Sequence, residues 1–200
     1  MPDRIRVDNG QPFGDPQRMS VPVMALWLAA LGIDTIWNRP GRPTDNACVE
    51  RMQGTTSRWA EVSTTQNLKQ LQQKLDYFTT LQRSSYGVDR LKGRTRIEAH
   101  PALKQQRRAY LSEAFKAKRA YALLAQTRFV RKVNTNGRIS IYEQGYQVGK
   151  QWRSQQVQIQ LDAQTREWII SDAVGNTIRR QKAKRLSPAD IRKLSISQRT

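Results

Sequence analysis

At Arg128 the apolar residues change step, and that change limits what the chain can fold into more than any other feature. Before it, Leu68, Leu71, Leu75, Phe78 and Leu81 recur every three or four positions, which predicts an amphipathic helix. After it, FVRKV, RISIY, YQVGKQ, VQIQLD, EWIIS and TIRRQ alternate apolar with polar residues, and NTNG, EQG, AQTR and DAVGN separate them with turn compositions. A small antiparallel barrel of about five strands over 128–182 is the simplest fold for that pattern. Gly137, Gly145 and Gly175 then fall at turns, and Trp152 and Trp168 fill the core.

Charge bounds the partner. Across 200 residues, 35 Lys and Arg face 16 Asp and Glu, a net charge of +19. Thirteen of the cations, Arg107 and Arg108 among them, fall between Arg90 and Lys132, opposed only by Glu98 and Glu113. A nucleic-acid backbone suits that density, with an anionic membrane a distant second. Cys48 is alone, which excludes a disulfide framework and a Cys-based zinc site and fits a reducing compartment. No apolar run reaches membrane-spanning length and the N-terminus has no signal-peptide core, so the expectation is a soluble cytoplasmic protein.

Upstream of the alternating region, Arg4 to Asp8 reads as a short strand that ends at a carboxylate. Ser20 as N-cap and Pro22 in the first turn predict a largely buried helix through Val23, Met24, Leu26, Trp27, Leu28 and Leu31, stopped at Gly32. Ile33 to Trp37 alternates again as a second strand. The stretch NRPGRPTDNACVERMQGTTSRW predicts a broken loop and then a helix capped by Thr44 or Asp45, with Val49, Met52, Thr56 and Trp59 facing inward. Asn46 and Glu50 lie on an adjacent face. Residues 87–127 read as a basic helical connector with a helix from Ser112 through Leu124, and 183–200 as a basic tail. That divides the chain at 86, 127 and 182.

Asp8 and Glu50 are carboxylates of the kind that hold Mg²⁺, yet two such acids alone are more often a turn acid and an exposed helix acid. The surrounding words carry more. VDNGQPF followed by GI, then NRPGRPTDNACVERMQGTTSRW, closely resembles the second half of the catalytic core of the retroviral integrase and insertion-sequence transposase superfamily, over about Arg4 to Leu103. The ribonuclease H-like fold of that superfamily carries three acids, the second in a D-N-G or D-x-G-x-F motif and the third in P-x-x-N-x-x-x-E-R. Asp8 matches the second and Glu50 the third, with Asn46 and Arg51 in the flanking positions. The region from Arg128 to Gln181 is similar, at the level of pattern, to the β domain that follows the core in Mu-type transposases, where it contacts DNA. In the family the first acid lies on a strand upstream of the D-N-G strand, and these 200 residues contain no such strand. The expectation is therefore the C-terminal part of such a protein, half of an α/β ribonuclease H-like core, incomplete for catalysis by itself.

The resemblance implies DNA integration or transposition within a mobile element, by metal-dependent strand cleavage and transfer. Mg²⁺ or Mn²⁺ would be held by Asp8 and Glu50, with Asn46, Asn9 and Gly10 supporting the site, although Gly10 reads equally well as a simple turn glycine. Candidate phosphate contacts are Arg39, Arg42, Arg51 and Arg58 near the acids, and Arg128, Arg131, Lys132, Arg138, Lys150, Arg153, Arg179 and Arg180 in the β region. For each of these alone a solvated cation is as good a reading. His100 reads as a turn residue and Cys48 as a helix filler. The implied partners are double-stranded DNA and either a second copy or a full-length transposase, with no membrane and no small-molecule substrate. A non-catalytic DNA-binding regulator that blocks a full-length transposase is the alternative, and an RNA-binding module a third reading. Two folding expectations follow: 128–181 folds by itself, and the Leu26–Leu31 helix lies uncovered beside an open sheet edge.

Overall fold

The computed structural model describes residues 1–15, 20–105, 109 and 111–196, apart from the side chains of 43 and 62. Arg107 and Arg108 of the basic run and 197–200 of the tail lie outside the described residues. The chain is mixed α/β and divides into two compact units: Pro2–Asn38 with Tyr110–Thr200, and Met1 with Arg39–Ala109.

The first unit opens with strand β1 (Arg4–Val7), helix α1 (Val23–Ala30) and strand β2 (Asp34–Trp37), and the two strands pair in parallel from Arg4↔Asp34 to Val7↔Trp37. Parallel neighbours need a crossover, and α1 supplies it. Pro22, not Ser20, stands at its N-cap. The Ser20 N–H and hydroxyl donate instead to the Asp15 carboxylate, at 2.8 and 3.0 Å. Gly32, at φ +73°, follows the helix as expected.

A helix that reads VMALWLAA is apolar on every side and must be covered on more than one. Helix α5 (Ala117–Gln126) packs against it, and the Lys116 N–H donates to the Ala30 carbonyl at 2.8 Å. Helix α6 (Pro188–Arg192) packs on it as well. One core runs from Ala25, Leu26 and Ala30 through Ala120 and Leu124 to Val157, Ile159, Trp168, Ile170 and Ile191. The expectation of an uncovered α1 is corrected by that continuity. The α1 surface is buried, with Leu26 fully so, and the strands after Arg128 share their core with α1, α5 and α6. Along the chain, the division into compact units falls at 38/39 and 109/110. Helix α5 also starts later than Ser112, which opens a separate 3-10 turn, Ser112–Ala114; Phe115 is extended and packs on the core beneath the Arg192 guanidinium.

Six strands follow: β3 (Phe129–Lys132), β4 (Arg138–Ile141), β5 (Gln144–Gln147), β6 (Gln156–Asp162), β7 (Glu167–Ser171) and β8 (Thr177–Lys182). Their alternation is kept: β6 buries Val157, Ile159 and Leu161, with Gln158 and Gln160 half-buried on its other face and the Gln160 amide donating to the Ala125 carbonyl of α5. The ladders, however, give a four-stranded antiparallel sheet in the order β3-β6-β7-β8 and a separate β4-β5 hairpin, and among the described residues no ladder closes them into a barrel. Side chains cross the two seams instead. Arg131 Nε on β3 donates to the Ser140 carbonyl on β4 at 3.1 Å. The Gln181 amide on β8 accepts from the Gln147 N–H at 3.3 Å and donates to the Gln147 carbonyl at 2.6 Å.

The β4–β5 turn is unusual in composition. Tyr142 and Glu143 both sit in the left-handed region, at φ +49° and +61°, where tight hairpins normally place Asn or Gly. The Tyr142 hydroxyl donates to the Val21 carbonyl at 2.8 Å, so the turn is anchored to the segment leading into α1.

The second unit consists of α2 (Ala47–Ala60), α3 (Leu68–Ser84) and α4 (Arg96–Ala99) with short 3-10 turns between them. Asn67 caps α3 through the Gln70 N–H, and Thr95 with Glu98 forms a capping box on α4. Asn46, rather than Thr44 or Asp45, precedes α2. The expected inward stripe of α2 is covered only in part: Val49 and Met52 remain 41% and 53% exposed, while Trp59 packs on Phe78 and Tyr86. Two helices bury only the strip between them, and so small a unit has little else to cover the rest.

Candidate nucleic-acid interface

Asp8 follows β1 at its carboxyl end, the edge at which open α/β sheets gather their ligands. Its Oδ1 accepts the Gly10 N–H at 3.0 Å and its carboxylate stays exposed. Asn9 Nδ2 donates to the Asn38 carbonyl at 3.0 Å, and the Asn38 N–H donates to the Val7 carbonyl at 3.0 Å, so the D-N-G turn is pinned to the end of β2. Gly14, which sequence reasoning passed over, closes the loop. Its N–H donates to the Gly10 carbonyl at 2.7 Å, and a Cβ there would stand 2.3 Å from the Asn9 backbone.

Glu50 lies in the first turn of α2, exposed, and Asn46 Nδ2 donates to its Oε1 at 3.3 Å. The four-residue spacing puts both side chains on one helical face. Asp8 and Glu50 belong to different compact units, so each carboxylate has its own local support. Among the described residues no group of three or more His, Cys, Asp or Glu gathers around a common point.

The nearby arginines divide by whether their charge is already used. Arg39 forks onto Asp45 through Nη2 at 2.7 Å and Nε at 3.0 Å, and that hydrogen bonding, with the carboxylate charge, raises its pKa. Arg58 folds its Nε onto the Gly54 carbonyl of its own helix. Arg42 and Arg51 are exposed and form no ion pair among the described residues. Cys48 is exposed with Arg90 Nη2 3.7 Å from its sulfur, and His100 sits in the bend between α4 and the following 3-10 turn.

The β region divides the same way. Arg131 is the β3–β4 seam, and burial lowers its pKa. Arg180 is paired with Asp162 at 3.2 Å and Glu167 at 3.6 Å, and Arg179 reaches the Gln147 carbonyl at 3.4 Å. Arg128 is exposed at the start of β3. Lys132, Arg138, Lys150 and Arg153 are exposed on the segments at the opposite end, with the Arg138 guanidinium lying back along the hairpin over Gly145. That end is tied together by backbone bonds: Val148 and Gly149 donate to the Gly137 carbonyl at 2.8 and 3.0 Å, and Ser154 donates to the Val133 carbonyl at 2.9 Å. Gly137, at φ +72°, has no room for a side chain, since a Cβ would lie 2.6 Å from the Gly149 backbone. From Arg128 to Leu161 the one acid is Glu143, in the β4–β5 turn at the far end of the strands. These four exposed cations form no ion pair among the described residues and can meet a phosphate backbone without first breaking one.

No family model matches the chain, and no curated protein matches it either. Among the described residues no helix is long and apolar enough to cross a membrane.

Proposed function

We propose that the chain serves metal-dependent DNA strand cleavage and joining in a mobile element, as a DNA-binding part of an integrase- or transposase-class protein with a partial ribonuclease H-like core. The observation that carries this reading is the D-N-G turn: an exposed carboxylate at the carboxyl end of a parallel strand, oriented by the Gly10 N–H and buttressed by Gly14. Glu50, steadied by Asn46 in the first turn of α2, supports it. Carboxylate oxygens fit a hard divalent cation such as Mg²⁺ or Mn²⁺, and Asp8 and Glu50 are the residues that would hold it. When bound, such ions stabilise the attacking and leaving oxygens of phosphoryl transfer. Lys132, Arg138, Lys150 and Arg153 bind duplex DNA through its phosphates.

The test supplies a third carboxylate in trans. The chain is mixed with a related core fragment bearing the upstream strand, duplex DNA and Mg²⁺ or Mn²⁺. Strand transfer is expected with the wild-type chain and lost with Asp8→Ala or Glu50→Ala, while duplex binding persists. Transfer that survives either substitution, or a chain that does not bind duplex DNA, overturns the reading. The exposed cation cluster also favours a second one, a DNA-binding regulator without chemistry, and duplex binding with no transfer under complementation selects it.

A further inference from the structure

The unit of Arg39–Ala109 holds a half-open cavity of about 670 Å³ between α2, the C-terminal end of α3 and the segment that follows it. That volume is in the range of small-molecule and cofactor pockets. Its walls combine two chemistries. One is flat and polarisable: Trp59 meets Tyr86 edge to face at 5.5 Å, Tyr86 remains 51% exposed, and Met52 lines the same space. The other is cationic, with Arg51, Arg90 and Arg96 on the wall against a single carboxylate, Asp89. Arg96 donates through Nη1 to the Gln82 carbonyl at 2.8 Å, which fixes it in place.

Each chemistry excludes a class of occupant. An apolar segment would cover the rings but strip water from three guanidinium groups without replacing it. An acidic segment would satisfy the guanidinium groups and leave the rings wet. Duplex DNA keeps its base faces stacked inside. An unpaired nucleotide presents a flat base and a phosphate on one short tether, and aromatic platforms with arginine are how proteins take single strands. We propose that this pocket binds an unpaired nucleotide of single-stranded DNA, its base against Tyr86 and Trp59 and its phosphate at Arg51 and Arg90. The inference rests on the DNA-processing reading above for the choice of DNA as the polyanion.

The experiment uses the full chain and fluorescence anisotropy. Two labelled oligonucleotides of about a dozen nucleotides are compared, one of thymidines and one abasic with the same number of phosphates. The wild-type chain is expected to prefer the base-bearing strand by about fivefold or more, the size of one stacked base. Tyr86→Ala removes the preference and leaves abasic affinity as it was, and Tyr86→Phe keeps it, which separates stacking from folding. Equal affinity of the wild-type chain for both strands, or a preference that survives Tyr86→Ala, overturns the proposal. So does displacement of the thymidine strand by polyglutamate at concentrations where thymidine nucleotides fail, which marks an acidic protein segment as the occupant. Duplex affinity of the wild-type chain, measured alongside, reports on the proposed function separately.

Discussion

Gln181 joins β8 to β5 with one amide that both donates and accepts, so the seam depends on a side chain that has both capacities. Gln181→Glu keeps the shape and removes the donor, setting a carboxylate against the Gln147 carbonyl. The variant is expected to lose about 0.5–1.5 kcal/mol at pH 7, the net worth of a hydrogen bond that water can partly replace. Facing a carbonyl, the new carboxyl has its folded pKa raised, so the loss should shrink as pH falls toward the ordinary Glu value of about 4.3 and be smallest below it, where a protonated Glu donates again. Urea melts of both proteins across that range check it, and a difference that stays constant with pH would mean the amide does not bridge the strands. Arg131 and Tyr142 are of the same kind: a cation and a phenol whose polar ends serve the fold, with burial raising the Tyr142 pKa and lowering that of Arg131.

At the scale of elements, α6 is five residues long and holds its place through a capping box and the fully buried Ile191. Ser187 Oγ donates to Asp190 Oδ2 at 2.6 Å and its N–H donates at 2.9 Å, and the hydroxyl contact is the main reason the Asp190 carboxyl titrates below its ordinary range. A depressed folded pKa contributes stability that is present above the unfolded value, near 3.9, and is lost as pH falls through the folded one. Ser187→Ala is expected to cost about 0.5–2 kcal/mol at neutral pH, as lost N-caps do, and the gap to wild type should narrow as Asp190 is protonated, leaving the part due to the Asp190 N–H on the Ser187 hydroxyl. Thermal melts from pH 7 to pH 2 measure both. Because α6 packs on α1, the loss should reach β1 and β2; slower amide exchange there in the variant would contradict the shared core.

For the whole molecule the governing quantity is the net charge of +19, only part of which is available to a ligand. If Lys132, Arg138, Lys150 and Arg153 are the duplex contacts, log affinity against log salt should slope at about −3.6, a fall of roughly two orders of magnitude between about 50 and 200 mM. Replacing Lys150 and Arg153 by Gln should flatten the slope by about 2. Arg180→Gln, which removes a cation already paired with Asp162 and Glu167, should leave it nearly unchanged. Salt titrations of a labelled duplex decide this, and a slope that responds to Arg180 as strongly as to Arg153 would move the interface to the sheet face.

The elements themselves were legible from the sequence, because local spacing of apolar residues states which face of a strand or helix must leave water. The β strands after Arg128, the β1–α1–β2 unit and α3 could be read that way, and the D-N-G turn announced itself through Gly10. Tertiary structure alone decided what covers each face. A stripe such as VMALWLAA demands burial without naming α5 and α6 as the partners. The α2 stripe demanded it and received only part. Charge behaves alike: Arg39, Arg131 and Arg180 look the same in sequence as Arg51 and Arg153. What separates them is a carboxylate or carbonyl brought close by the fold, such as Asp162 beside Arg180, and hydrogen bonds and ion pairs act over a few ångströms of space rather than along the chain.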